Sequence, residues 1–132
     1  MQETARISVS PSEQGRAASR VFAAARIAAF GLASAIVVLS VVPPDWRPET
    51  GAPNFLEHSA IYAISGGAFG LGFGRRPFSL AIWLVIFAGC VEIVQLFVPG
   101  RHARLSDFLV DAFAACVGLL TVALIRRVRA RI

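Results

Sequence analysis

The chain has 132 residues, of which 56% are hydrophobic and 16% charged, and its formal net charge is +5 at pH 7. Soluble domains average roughly 45–50% apolar and about 25% charged residues, and a domain of this size cannot bury so much apolar surface. The composition therefore excludes a typical soluble enzyme and a disordered chain. It favours a single domain whose solvent is lipid.

All thirteen basic residues are arginines, and most lie in the N-terminal segment, around Arg75 and Arg76, and at the C-terminal end. In a membrane protein such clusters report the orientation of the chain, so no nucleic-acid partner is expected. Cys90 and Cys116 both lie in apolar runs. They are expected to be small buried residues, with no disulfide, no metal site and no cofactor implied.

Four apolar runs follow one another along the chain. The first covers about residues 21–42, and the stretch Ile27–Pro44 has no charged residue over eighteen positions, enough to span a bilayer core. The others cover about residues 55–74, 78–98 and 107–125, and each has ionisable residues near one end. The pattern predicts an all-α membrane protein, a bundle of four transmembrane helices.

The polar segments at the two ends predict the boundaries of this domain. Residues 1–20 are interpreted as a flexible cytosolic N-terminal tail, residues 21–125 as the transmembrane domain and residues 126–132 as a basic cytosolic tail. Four spans place both termini on one side of the membrane, together with Arg75 and Arg76. The positive-inside rule predicts that this side is the cytoplasm.

The ionisable residues within the last three runs fall at one depth, in the outer half of the predicted bundle. Helical spacing places three pairs on shared faces: His58 with Tyr62, Glu92 with Gln95, and Asp107 with Asp111. Arg101 or Arg104, in the third loop, is expected to fold back onto these carboxylates and offset their cost in the membrane. The residues predict a polar pocket that opens to the outer surface.

Small residues continue these polar faces towards the cytoplasmic side. Gly66 and Gly70 follow on the second run, Ala88 on the third and Gly118 on the fourth. Small residues are typical of helix–helix contacts in membranes, so these positions are expected to face the interior of the bundle.

The order of the polar residues resembles the VanZ-like family of small bacterial membrane proteins over roughly residues 54–120. The elements that carry the resemblance are His58 with Tyr62, Glu92-Ile93-Val94-Gln95, Pro99-Gly100-Arg101, Asp107 and Gly118. Asp111 departs from the family pattern, which usually has asparagine there. The resemblance implies a multi-pass protein of the bacterial cytoplasmic (inner) membrane. The eponymous member of the family is linked to glycopeptide (teicoplanin) resistance.

Three functions remain open from the residues. The first is binding of a cell-envelope membrane lipid or lipid-linked glycan, with Arg101 on phosphate or carboxylate. The second is a membrane enzyme acting on such a lipid, with His58 or Glu92 as general base. The third is a structural helper subunit with a membrane-protein partner. The ligand-binding residues expected from the first hypothesis are His58, Tyr62, Glu92, Gln95, Arg101, Asp107 and Asp111.

Overall fold

The structure, a computed structural model, describes residues 11–42, 54–100 and 103–131. These residues form four α-helices and no strand, which confirms the all-α fold. The helices are α1 (Pro11–Val41), α2 (Asn54–Phe73), α3 (Pro77–Gln95) and α4 (Leu105–Arg129).

Three of the helices, α1, α3 and α4, are long and apolar enough to cross a membrane. The helix α2 has 20 residues but is not among these three. Its first turns carry Glu57 and His58, and four glycines occupy its second half in place of larger apolar side chains.

Two helix boundaries differ from those that the apolar runs predict. The first helix begins at Pro11, so residues 11–20 are helical although they were expected to form a flexible tail. Proline is favourable at the first helical position, and the polar residues that follow add no hydrophobicity to mark the helix. The last helix likewise continues into the basic tail as far as Arg129, because arginines stabilise the C-terminal end of a helix. An apolar run predicts only the hydrophobic part of a helix, and both of these helices continue beyond it into polar residues.

The helix α2 lies at the centre of the packing. It packs most extensively on α4 and next on α1, whereas α3 packs mainly on α4 and has smaller contacts with α1 and α2. Side chains from all four helices meet in one core, whose buried members are Ile36, Tyr62, Leu84, Ala88, Val91, Ala112, Ala115 and Leu119.

Two glycines bring α2 and α4 into close contact. A Cβ atom on Gly66 would overlap the backbone carbonyl of Ala115, and a Cβ atom on Gly118 would overlap the backbone carbonyl of Ala63. Only hydrogen on these Cα atoms permits the observed approach. The expected role of Gly66 and Gly118 in helix contact is confirmed.

The outer surface of the bundle is apolar. Large side chains such as Ile27, Phe78 and Phe113 are 75%, 80% and 72% exposed. Both cysteines are free thiols, and Cys90 is exposed on this surface, so the expectation that it is buried was wrong. An uncharged side chain within an apolar helix can face lipid as readily as the core, and composition does not distinguish the two.

At one end of the bundle, an arginine from α1 and an arginine from α4 bind the last turn of α2. The Nε atom of Arg26 donates a hydrogen bond to the carbonyl of Gly72 (3.0 Å), and an Nη atom of Arg126 donates one to the carbonyl of Leu71. The last carbonyls of a helix have no partner within it, so these arginines satisfy them from α1 and α4. We call this end, which also contains the Arg75–Arg76 turn, the arginine end.

Candidate functional site

The opposite end of the bundle collects polar residues from all four helices. The end of α1, the beginning of α2, the end of α3 and the beginning of α4 meet there because successive helices run in opposite directions. We call this group the polar cluster; it consists of Ser40, His58, Tyr62, Glu92, Gln95, Asp107 and Asp111. Six of its members are among the seven residues predicted as ligand-binding.

Asp111 and His58 form an ion pair within the cluster. The Nδ1 atom of His58 lies 3.6 Å from Oδ2 of Asp111, and the two side chains are 28% and 6% exposed, respectively. Asp111 belongs to the first half of α4, one turn before Ala115, whose carbonyl lies against Gly66 of α2. The close approach of these two helices therefore brings the carboxylate of Asp111 against the beginning of α2.

Glu92 joins α3 to the beginning of α4. Its Oε1 atom accepts a hydrogen bond of 2.6 Å from the backbone N–H of Arg104, the residue immediately before α4. Arg104 thus contacts Glu92 through its backbone. The expected contact through its guanidinium group is not present among the residues that the structure describes. Glu92 also interacts electrostatically with the side chains of Asp107, Asp111 and His58.

Tyr62 lies at the interior side of the cluster and is only 2% exposed. Its ring lies 6.4 Å from that of Phe87 on α3, centroid to centroid. The phenol interacts electrostatically with Asp111 and Glu92. The expectation that Tyr62 and His58 share a face directed into the bundle agrees with these contacts.

Gln95 occupies the last turn of α3 and is 7% exposed. Its Nε2 atom donates a hydrogen bond of 3.3 Å to the hydroxyl of Ser40 on α1. Sequence reasoning missed Ser40, which is 2% exposed and lies near the end of the first apolar run. A serine near the end of a span, at the depth of a glutamine on another helix, was the signal that could have identified it.

Asp107 lies in the first turn of α4 and is exposed. Its Oδ1 atom accepts a hydrogen bond of 3.0 Å from the hydroxyl of Ser106. A carboxylate in this position is favourable near the positive end of the helix dipole. Arg101, the remaining predicted ligand residue, lies outside the residues that the structure describes.

The described members of the cluster mainly accept hydrogen bonds. Three carboxylates, an imidazole and a phenol hydroxyl can bind hydroxyl, amide or amine groups of a ligand. In residues 11–42, 54–100 and 103–131, no group of three or more His, Cys, Asp or Glu side chains could hold a metal ion. The arrangement is suited to a polar organic group.

The turn after α3 directs the chain back towards the cluster. Gly100 has a positive φ of 80°, a conformation that glycine adopts without a steric penalty.

Comparison with known proteins adds no assignment, since no protein-family model, no curated protein and no solved structure matches the chain.

Proposed function

We propose that the protein is a VanZ-like integral protein of the bacterial inner membrane that binds a cell-envelope lipid or lipid-linked glycan at its polar cluster. One observation carries this proposal. Polar side chains from separate helices meet at one end of an apolar bundle, and four of them are buried: Ser40, Tyr62, Gln95 and Asp111. Ionisable residues at membrane depth are costly, and they are typically retained for a function.

The proposed topology has four spans and both termini in the cytoplasm. In the described residues, arginines from α1, the α2–α3 turn and α4 lie at the arginine end, and the positive-inside rule assigns that end to the cytoplasm. The helix α2, about 30 Å long at 1.5 Å per residue, matches the hydrocarbon core and is the proposed fourth span. The polar cluster then lies in the outer leaflet.

Reporter fusions test this topology. A fluorescent protein that matures only in the cytoplasm, fused to the C-terminus, is expected to fluoresce, and alkaline phosphatase at the same position is expected to be inactive. An active phosphatase fusion would contradict the proposed orientation.

The proposed ligand carries both hydrogen-bond donors and an anionic group. Glu92, Asp107, Asp111 and His58 supply acceptors for hydroxyl or amide groups of the head group, while Arg101 supplies a charge for its phosphate. Phosphate-bearing lipids and lipid-linked glycans combine these groups next to an acyl or polyprenyl chain. The exposed apolar surface of the bundle suits such a chain.

Lipids that co-purify with the full chain test the proposal. We expect mass spectrometry to find one lipid class enriched over the bulk membrane extract in the wild type. The enrichment is expected to disappear in His58→Ala and Asp111→Asn. Glu13→Gln is the matched control, since it removes a carboxylate from the exposed beginning of α1, and it should keep the enrichment. Identical lipid profiles in all four proteins would contradict the proposal.

A membrane enzyme is the second candidate, and the His58–Asp111 pair favours it. A carboxylate beside an imidazole can orient the imidazole for general-base catalysis. This candidate predicts a change in the mass of an envelope lipid on overexpression. If that change survives in both His58→Ala and Glu92→Gln, the proposed base is wrong.

A structural helper subunit is the third candidate, and the buried Gln95–Ser40 hydrogen bond favours it because the bond joins two helices without involving a ligand. Co-purification of a stoichiometric membrane-protein partner without any enriched lipid would support this candidate over lipid binding.

A further inference from the structure

The polar cluster has an excess of negative charge among its described side chains. Glu92, Asp107 and Asp111 are three carboxylates, and His58 is the one described side chain that forms an ion pair with them. Arg104 gives Glu92 a backbone N–H, which carries no full charge. A ligand with a positive group would compensate the excess.

Asp111 is the member in greatest need of a donor. Its side chain is 6% exposed, and its contact with His58 is 3.6 Å long, beyond the range of a strong charge-assisted hydrogen bond. No hydrogen bond to Asp111 is present in the described part of the chain. A buried carboxylate without hydrogen bonds is expensive, so a donor supplied by a ligand would stabilise it substantially.

Tyr62 is a second and independent indication of a ligand. It is 2% exposed, and no described residue forms a hydrogen bond with its hydroxyl. It lies one turn after His58 on the same face of α2, near enough to Asp111 and Glu92 for their charges to act on the phenol. Buried tyrosine hydroxyls usually have a partner. A second ring, that of Phe87, lies 6.4 Å from the ring of Tyr62, centroid to centroid.

We propose that the head group bound at the polar cluster carries a protonated amine, which lies against Asp111 and Tyr62. This inference rests on the proposed lipid-binding function and names the chemical class of its ligand. An ammonium group supplies three N–H donors and a positive charge, matching the carboxylate and the phenol oxygen. Aromatic faces add cation–π attraction to such a group. A head group with hydroxyls alone would leave the described side chains of the cluster with more carboxylates than positive groups.

The experiment compares two lipids that differ only at the nitrogen. Phosphatidylethanolamine and N-acetylated phosphatidylethanolamine with identical acyl chains are titrated into the purified full chain in detergent, and binding is measured by native mass spectrometry. We expect phosphatidylethanolamine to bind the wild type about tenfold more tightly, the factor that one charge-assisted hydrogen bond supplies. Asp111→Asn should lose this preference, whereas Glu13→Gln should keep it.

The outcomes separate the two proposals. If the wild type bound both lipids with equal affinity, the proposed amine contact would be contradicted. If His58→Ala then bound both lipids more weakly, lipid binding at the cluster would still be supported. Equal affinity of both lipids for wild type, His58→Ala and Asp111→Asn would overturn lipid binding at the cluster. The comparison of the two lipids is made first in the wild type. The proposed amine contact can therefore be tested even if a variant folds poorly.

Free ethanolamine identifies the carrier of the amine. If ethanolamine competed as well as phosphatidylethanolamine, the bound amine would be supported. The proposal that a lipid carries this amine would be contradicted. We expect ethanolamine to compete far more weakly than phosphatidylethanolamine, since it lacks the acyl chains that contact the apolar surface.

Discussion

The backbone N–H of Arg104 donates a hydrogen bond of 2.6 Å to the side chain of Glu92, which lies on the preceding helix. Arg104 immediately precedes α4, whose beginning has no side-chain cap of its own. Backbone donors at the start of a helix need partners from elsewhere. Glu92 therefore has a structural role, in addition to the ligand contact proposed for it.

Removing the Glu92 side chain should destabilise the bundle moderately. Glu92→Ala leaves the N–H of Arg104 without its acceptor, and we expect a loss of about 1–2 kcal/mol, or roughly 4 °C in melting temperature. Glu92→Gln retains an acceptor oxygen and should lose less. Thermal unfolding in detergent measures both variants against Glu13→Ala. A melting temperature of Glu92→Ala at or above that of the wild type would show that the charge is retained for ligand binding alone.

The contact between α2 and α4 should not accommodate a side chain at Gly66 or Gly118. In Gly66→Ala the new Cβ meets the carbonyl of Ala115, which cannot move without displacing α4. We expect destabilisation of about 1–3 kcal/mol, the range for overpacking.

The control for this prediction is Gly31→Ala on α1, where nothing lies within 4 Å of the added atom. This variant should unfold at the same temperature as the wild type or slightly higher, because alanine favours helix. Thermal unfolding followed by size-exclusion chromatography distinguishes the two. If both variants behaved alike, the close approach of α2 and α4 would be contradicted.

The stability of the arginine end should depend on Arg26 and Arg126 more than on its other arginines. Arg26→Ala and Arg126→Ala each expose a carbonyl of the last turn of α2, and we expect each to cost about 0.5–1.5 kcal/mol. Arg20→Ala and Arg127→Ala, which change exposed arginines on the same two helices, should have smaller effects. Melting temperatures of the four variants at one salt concentration give the comparison. Equal losses at all four positions would indicate a general effect of charge.

The hydrogen bond between Gln95 and Ser40 should appear as coupling between α3 and α1. In a double-mutant cycle of Gln95→Ala and Ser40→Ala, we expect a coupling free energy of about 1 kcal/mol. Ser65 on α2 is an equally buried control, at 2% exposure, and its substitution by alanine should be additive with Gln95→Ala. Additivity in both cycles would argue against the observed bond.

The amino-acid sequence determined the helices and the end of the bundle at which their polar residues lie. Apolar runs of spanning length predict helices in lipid, and a constant rise of 1.5 Å per residue converts position in a run into depth. His58, Glu92 and Asp111 could therefore be placed at one end of the bundle before any contact was known. The boundaries at Pro11 and Arg129 could not, because polar helical turns outside the apolar runs have no hydrophobic signal.

Tertiary structure alone decided which side chains meet within that end. The partner of Glu92 is a backbone N–H of Arg104, and the partner of Gln95 is Ser40, which no motif identified. These contacts depend on the rotation and separation of whole helices, which the contact between Gly66 and Ala115 helps to set. Hydrophobic periodicity is satisfied by several neighbour arrangements, whereas steric fit between backbones selects one of them.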